Sequence, residues 1–300
     1  MNLAYMTLDE AKALDNSSPV AQVTGLGSRL RRTVNRTSFF RDADEFYVAK
    51  HGSDSNYTGK SWEDPFLTIQ KALNVARYIP GTTDIDYGKN RHKYIHVAPG
   101  QYNEQLLFSG YNIHLIADSP YPNNGDYGAI INYDNAITAT CVIGFTGAGI
   151  EIAGFCFNSE RAIPLMLMGS GTVADGCDIH HNFFKGDNSK TVTIGIDAEA
   201  KNSWIHHNRF SGIITGIDVD ASAWFHGMEV FENTMGNVTN GILIASGATI
   251  TESAIYRNRI VGSTASITNS QATDIIITEN RTKPAISDAG GAAGDNTTLA

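Results

Sequence analysis

Four carboxylates at two repeated positions are the residues of this chain best suited to chemistry. Asp197 and Asp218 each follow a Gly-Ile pair, in Gly195-Ile196-Asp197 and Gly216-Ile217-Asp218, and Glu199 and Asp220 come two residues later. Residues two apart on a strand share a face, so the four side chains would crowd one patch. Like charges that close raise at least one pKa. A raised carboxyl suits a general acid working beside a base or a nucleophile, as in glycoside hydrolysis. Four oxygen donors could instead hold Ca2+, and a solvated acidic face is the plain alternative. Ile244 and Ser246 stand where the following unit would continue the pattern, which confines the cluster to two units. The pairs His180-His181 and His206-His207 could act as bases, but no serine nucleophile motif accompanies them.

A repeat must position these residues. Apolar-x-x-Asn recurs as Ile179-His180-His181-Asn182, Ile205-His206-His207-Asn208, Val230-Phe231-Glu232-Asn233, Ile255-Tyr256-Arg257-Asn258 and Ile277-Thr278-Glu279-Asn280. The asparagines are 26, 25, 25 and 22 residues apart, and Phe155-Cys156-Phe157-Asn158 extends the series backwards by 24. So short a period means stacked copies of one unit. A turn residue follows each of the first four asparagines by four (Gly186, Gly212, Asn237, Gly262), and a second short strand rich in Ile comes next. No helical stripe separates the strands, which excludes βαβ crossovers. The chain therefore reads as all-β: a single-stranded right-handed parallel β-helix with an N-terminal capping helix and an extended N-terminal arm. Asparagines on successive rungs, about 4.8 Å apart, would hydrogen-bond one another and satisfy turn polar groups.

The residue after each apolar anchor should point outward, giving a stripe of His180, His206, Phe231 and Tyr256. Such a stripe would be a partner surface, a platform for sugar rings, or same-face stacking that stiffens the coil.

The 300 residues are 42% hydrophobic and 18% charged with 29 glycines, which is enough apolar matter for a large core and suits a turn-dense solenoid. A net charge of −9 argues against nucleic-acid binding. Cys141, Cys156 and Cys177 are odd in number and near strand anchors, so they read as buried free thiols. No zinc spacing occurs, and neither a metal nor a cofactor is implied. No stretch is long and apolar enough to span a membrane, and Met1 to Met6 lacks the pattern of a secretion signal.

The two ends differ from the middle. Residues 1–45 form an arm. Thr7-Leu8-Asp9-Glu10 reads as a capping box before a short helix, and residues 16–41 carry Arg29, Arg31, Arg32, Arg36 and Arg41 with no acid. Such an arm would dock on an acidic assembly partner. Residues 46–286 form the β-helix. A capping helix near 66–78 has the stripe Ile69, Ala72, Leu73, Ala76 and would cover the open end of the stack. Residues 287–300 are Gly/Ala-rich and read as a flexible tail.

The run EFYVAKHGSDSNYTGKSWEDPFLTIQKAL from Glu45 to Leu73, then IHVAPGQYNE from Ile95 to Glu104, then the IHHN repeats, resembles the pectate-lyase-like superfamily of right-handed parallel β-helices. The resemblance spans roughly residues 46–283 and implies a fold shared by pectate lyases, polygalacturonases, pectin methylesterases, phage tailspikes and non-enzymatic virion proteins. Pectate lyases pair Ca2+-binding aspartates with a catalytic arginine, and no arginine lies in the column of Asp197 and Asp218. Polygalacturonase-like and pectin-methylesterase-like motifs are also missing. The resemblance thus leans away from an enzyme, towards a non-enzymatic bacteriophage virion protein on the particle surface. The expected form is capsid decoration or cement, assembled in the host cytoplasm and anchored by its arm to the major capsid protein or a tail component. The outward stripe would pack a homotrimer. The alternative is a polysaccharide-degrading tailspike or depolymerase, a lyase or a glycoside hydrolase acting on surface polysaccharide through Asp197, Asp218, Glu199 or Asp220.

Overall fold

The computed structural model describes residues 44–77, 92–118, 128–132, 140–159, 161–169, 174–186, 192–270, 275–288, 292–293 and 296–298. The chain is an all-β parallel β-solenoid. One wall is a ten-stranded sheet whose order follows the sequence, from Asp44–Val48 and Lys93–Val97 through Asp178–His180, Trp204–His206 and Glu229–Phe231 to Ile275–Thr278 and Ala292–Ala293. The apolar anchors Ile179, Ile205, Val230, Ile255 and Ile277 are buried in it, as the period-2 alternation requires. The other walls form an 18-stranded sheet. Its longest strands, Arg209–Val219, Thr234–Ile244 and Arg259–Asn269, carry the chain from the asparagine turn into the Gly-Ile segment (Ser266-Ile267 in the last of them) without a break.

The turn explains the asparagine. His181, His207, Glu232, Arg257 and Glu279 have φ between 53° and 56°, which turns the chain sharply into the next wall. The amide that follows satisfies the groups this leaves unpaired. Asn208 Nδ2 donates to Ile179 O at 2.7 Å and to Asn233 Oδ1 at 3.1 Å, and Asn208 N donates to the same Oδ1 at 3.0 Å. The motif repeats from Asn182 to Asn280 and one rung further, where Asn280 N donates to Asn296 Oδ1 at 3.0 Å.

Three expectations change. Asn158 is not in the ladder, because Cys156 pairs with Phe183 and Asn158 with Lys185. The ladder position on that rung is Phe155, whose N–H donates to Asn182 Oδ1. The tail is not free from residue 287: Ser287–Asp288, Ala292–Ala293 and Thr297–Thr298 each add a strand to the preceding rung. A third short strand per rung (Ala174–Asp175, Ala200–Lys201, Trp224–His226, Thr249–Thr251) occupies what reads as loop.

Inside, Phe157, Phe184 and Phe210 stack at 5.2 and 4.8 Å, and Met235 and Ile260 continue the column by register. Cys141, Cys156 and Cys177 are buried, and no disulfide joins them. The helix α1 (Ile69–Arg77) buries Ile69, Ala72, Leu73 and Ala76. Thr68 caps its start by accepting from Lys71 N, and the Glu104 carboxylate accepts from Ile69 N and Gln70 N at 2.9 Å each. Burial raises the Glu104 pKa, against those two donors, which hold it down. The capping box of Thr7 and the arginines Arg29, Arg31, Arg32, Arg36 and Arg41 lie outside the described residues.

Candidate functional site

Register aligns one outward column across the second sheet: Leu107, Gly144, Leu167, Asp197, Asp218, Leu243, Thr268. The two aspartates are direct neighbours within it. Leu243, not Ile244, stands opposite Asp218, because Gly241-Ile242-Leu243 repeats Gly216-Ile217-Asp218 in register. Leucines thus close the acidic pair on both sides, and both aspartates are partly buried.

Glycines hold the column close to its neighbours. A Cβ on Gly195 would meet Gly216 O at 2.5 Å, and one on Gly216 would meet Gly241 O at 2.6 Å and Met235 Sδ at 2.8 Å. The Gly of each Gly-Ile-Asp is therefore there for backbone approach, while the Asp faces out.

The electrostatics are those of crowded, half-dry carboxyls. Burial pushes Asp197 up to about 6, with the charges of Asp220, Asp218 and Glu199 adding to it. Burial and Asp220 push Asp218 up to about 6 as well, against the Val219 N–H, which favours its ionised form. The four sequence candidates therefore act on one another. Among the described residues, no group of three or more His, Cys, Asp or Glu side chains is arranged to hold a metal ion.

Two neighbours of the pair are not evident in the sequence. Gly144 leaves a notch in the column, a cavity of about 160 Å³ bordered by Leu107, Cys141 and Leu167. The ring of Trp224 is 44% exposed with Lys201 Nζ 4.4 Å from its centroid. Trp224 precedes Phe225 as Glu199 precedes Ala200, and Ala200 and Phe225 are paired, so Trp224 lies one rung along from Glu199. The signal for Trp224 was its exposure, which composition cannot give; the signal for Gly144 was a register that an imperfect repeat conceals.

The stripe on the ten-stranded sheet is brought together as expected. His180 and His206 stack at 5.1 Å, His206 and Phe231 at 4.7 Å, and Phe231 and Tyr256 at 5.1 Å, with interplanar angles of 7°, 10° and 4°. The ring faces cover one another and present edges outward. Within the stack no face is open to a sugar, which favours the stiffening role. Carboxylates two strand positions upstream, each on the preceding rung, brace it. Glu151 joins His114 Nδ1 at 2.6 Å and His180 Nε2 at 3.0 Å, and those hydrogen bonds hold Glu151 down to about 2. His206 Nε2 lies 2.9 Å from Asp178 Oδ1, and Tyr256 donates to Glu229 at 2.6 Å. Burial works against protonation of His180, but its bond to Glu151 and the nearby charges of Asp178 and Glu151 prevail and raise its pKa.

The fold defines a parallel β-helix protein with a pair of raised carboxyls on an outer wall. No protein-family model matches the chain, and no curated protein matches it by sequence. Among solved structures, a deglycosylated pectin methylesterase from Aspergillus niger is similar at 14% identity and a TM-score of 0.41, over 85% of this chain and 89% of that one. A pectin methylesterase bound to a hexasaccharide is similar at 12% identity and a TM-score of 0.48, over 85% and 92%. Pectate lyase Pel9A follows at 13% and 0.44, over 84% and 79%. The likeness is one of fold, and the chemistry has to come from the side chains.

Proposed function

We propose that this chain is a polysaccharide-acting β-helix protein that hydrolyses a glycosidic bond at the Asp197–Asp218 pair. The observation that carries this is two outward aspartates in register on adjacent strands, both raised to about 6. Adjacent strands lie about 4.8 Å apart, so the carboxyls are spaced for the retaining pathway, which needs about 5 Å, rather than for the wider inverting one. Asp197 has three carboxylates bearing on it, which favours the general-acid role for it. Asp218 is favoured in its ionised form by the Val219 N–H and is the nucleophile. Asp218 bonds to the anomeric carbon as Asp197 protonates the leaving oxygen. Asp197, now ionised, then takes a proton from water, whose oxygen displaces Asp218 from the sugar. The exposed Trp224 ring offers a face on which a neighbouring sugar stacks.

The test is reducing-end release from a panel of neutral and acidic polysaccharides by wild type, Asp197→Asn and Asp218→Asn. Release that both substitutions abolish supports the reading, and release that survives either one sinks it.

Attachment to a virion is a separate proposal. It is favoured by the five arginines and the lack of acid in residues 16–41, and it is compatible with an activity on surface polysaccharide. Its test is the copy number of the chain in purified particles by quantitative mass spectrometry; absence from particles removes it.

A further inference from the structure

The wall that bears the aspartates also bears the notch. In the outward column Leu107, Gly144, Leu167, Asp197, the glycine stands two rungs before the first aspartate. It borders the cavity of about 160 Å³, whose largely apolar lining includes Leu107, Phe108, Phe145 and Leu167 beside the hydroxyls of Thr140 and Thr146. A Cβ on Gly144 would come 3.0 Å from Cys141 Sγ and 3.1 Å from Leu107 Cδ2, tighter than ordinary contact, so even one methyl group there displaces the Leu107 side chain that borders the hollow. Leu107, at the rim, is 49% exposed, an apolar side chain kept in water beside an apolar hollow.

Charge and position say what fits. The column from Leu107 to Thr268 holds two carboxylates and no cation, with Glu199 and Asp220 beside them. A polyanion would be repelled there. Two rungs at about 4.8 Å place the notch roughly 10 Å from Asp197, within the same sugar chain if that chain runs along the column.

We infer that the ligand is an uncharged glycan carrying a sugar-borne methyl group, from a 6-deoxy sugar or an O-acetyl ester, seated in the Gly144 notch two rungs from the acidic pair. The inference rests on the reading of the pair as a glycan site, but its readout is binding and needs no cleavage.

The experiment is affinity electrophoresis of the full chain through gels containing one of four probes. These are a neutral rhamnose polymer, an O-acetylated glucomannan, the same glucomannan after alkaline deacetylation, and polygalacturonate. Wild type should be retarded by the rhamnose polymer or the acetylated glucomannan and not by polygalacturonate. Loss on deacetylation assigns the methyl to the ester, and retardation by the rhamnose polymer assigns it to the 6-deoxy position. Gly144→Ala and Leu107→Gln should each weaken retardation by about tenfold, the scale of one methyl group in a pocket. Leu107 is exposed at the rim, so Leu107→Gln tests the notch even if Gly144→Ala fails to fold, which a thermal melt of each variant reveals. Strongest retardation by polygalacturonate, no retardation by either methyl-bearing probe, or wild-type binding by folded notch variants would overturn the inference. Hydrolysis measured on the same samples separates the two claims. Binding that depends on the notch without any cleavage removes the hydrolytic reading alone, and cleavage that ignores the notch removes the notch alone.

Discussion

Asp197 and Asp218 set a sign that is unusual for surface acids. A carboxyl raised from 3.8 to about 6 holds its proton longer in the folded chain than in the unfolded one. Between those values the folded chain binds more protons, so this contribution to stability falls as pH rises through the window. Asp218→Asn removes one of the crowded charges and should melt higher than wild type at pH 7, with the gap closing near pH 4. A variant that melts no higher at pH 7 would contradict the raised pKa values. The retaining pathway needs one proton on the pair, so activity should peak near pH 6 and decline on both sides. Glu151 has the opposite sign. Hydrogen-bonded to His114 and His180 and lowered from 4.5 to about 2, it adds stability above its unfolded pKa that is lost as pH falls towards 2. Glu151→Gln should cost about 1–3 kcal/mol at pH 7 by denaturant titration.

At the scale of the element, the asparagine turn is the clearest case. Asn233 is buried, donates through Nδ2 to Ile205 O and Asn258 Oδ1, and accepts from Asn208 N and Nδ2. Asn233→Ala strands partners on both adjoining rungs and should cost about 3 kcal/mol or more; a cost near zero would mean water replaces the amide. Gly216→Ala should cost about 1–3 kcal/mol through overpacking against Gly241 O. The ladder from Asn182 to Asn280 was legible because each asparagine follows a buried Ile or Val at fixed spacing. Asn158 matches the same template by coincidence, and only pairing register excludes it. Asn296 was illegible because its rung is anchored by Ala292–Ala293 in a stretch whose composition reads as tail. The third strands span as few as two residues, too short to show alternation. The acidic pair was legible for the same reason as the ladder: Gly-Ile-Asp recurs in register. The notch was not, because the rung of Gly144 has no asparagine to align it.

On the scale of the molecule, a solenoid sums the stability of its rungs, each touching only its neighbours. Removing residues 287–300 takes away strands paired with Arg259–Asn269, Ile275–Thr278 and Arg281–Lys283 and the Asn296 acceptor of Asn280. The truncated chain should melt lower, yet keep its glycan binding, since Leu243 and Thr268 stand between Asp218 and the lost Ser287. Loss of binding together with the tail would show coupling along the stack that nearest-neighbour packing does not provide. At the other end, Thr68, Asp54 and Glu104 fix the start of α1 over the first rungs. These contacts of the Glu45–Glu104 run hold the helix in place and are silent on reaction.

The most direct measurement is reducing-end release across the polysaccharide panel by wild type and by the folded Asp197→Asn and Asp218→Asn variants at pH 6. Release from at least one neutral glycan is expected, with a loss of about a thousandfold or more in each variant, as when an acid or a nucleophile is removed. Release that persists in either variant, or wild type that cleaves nothing on the panel, would contradict hydrolysis at this pair.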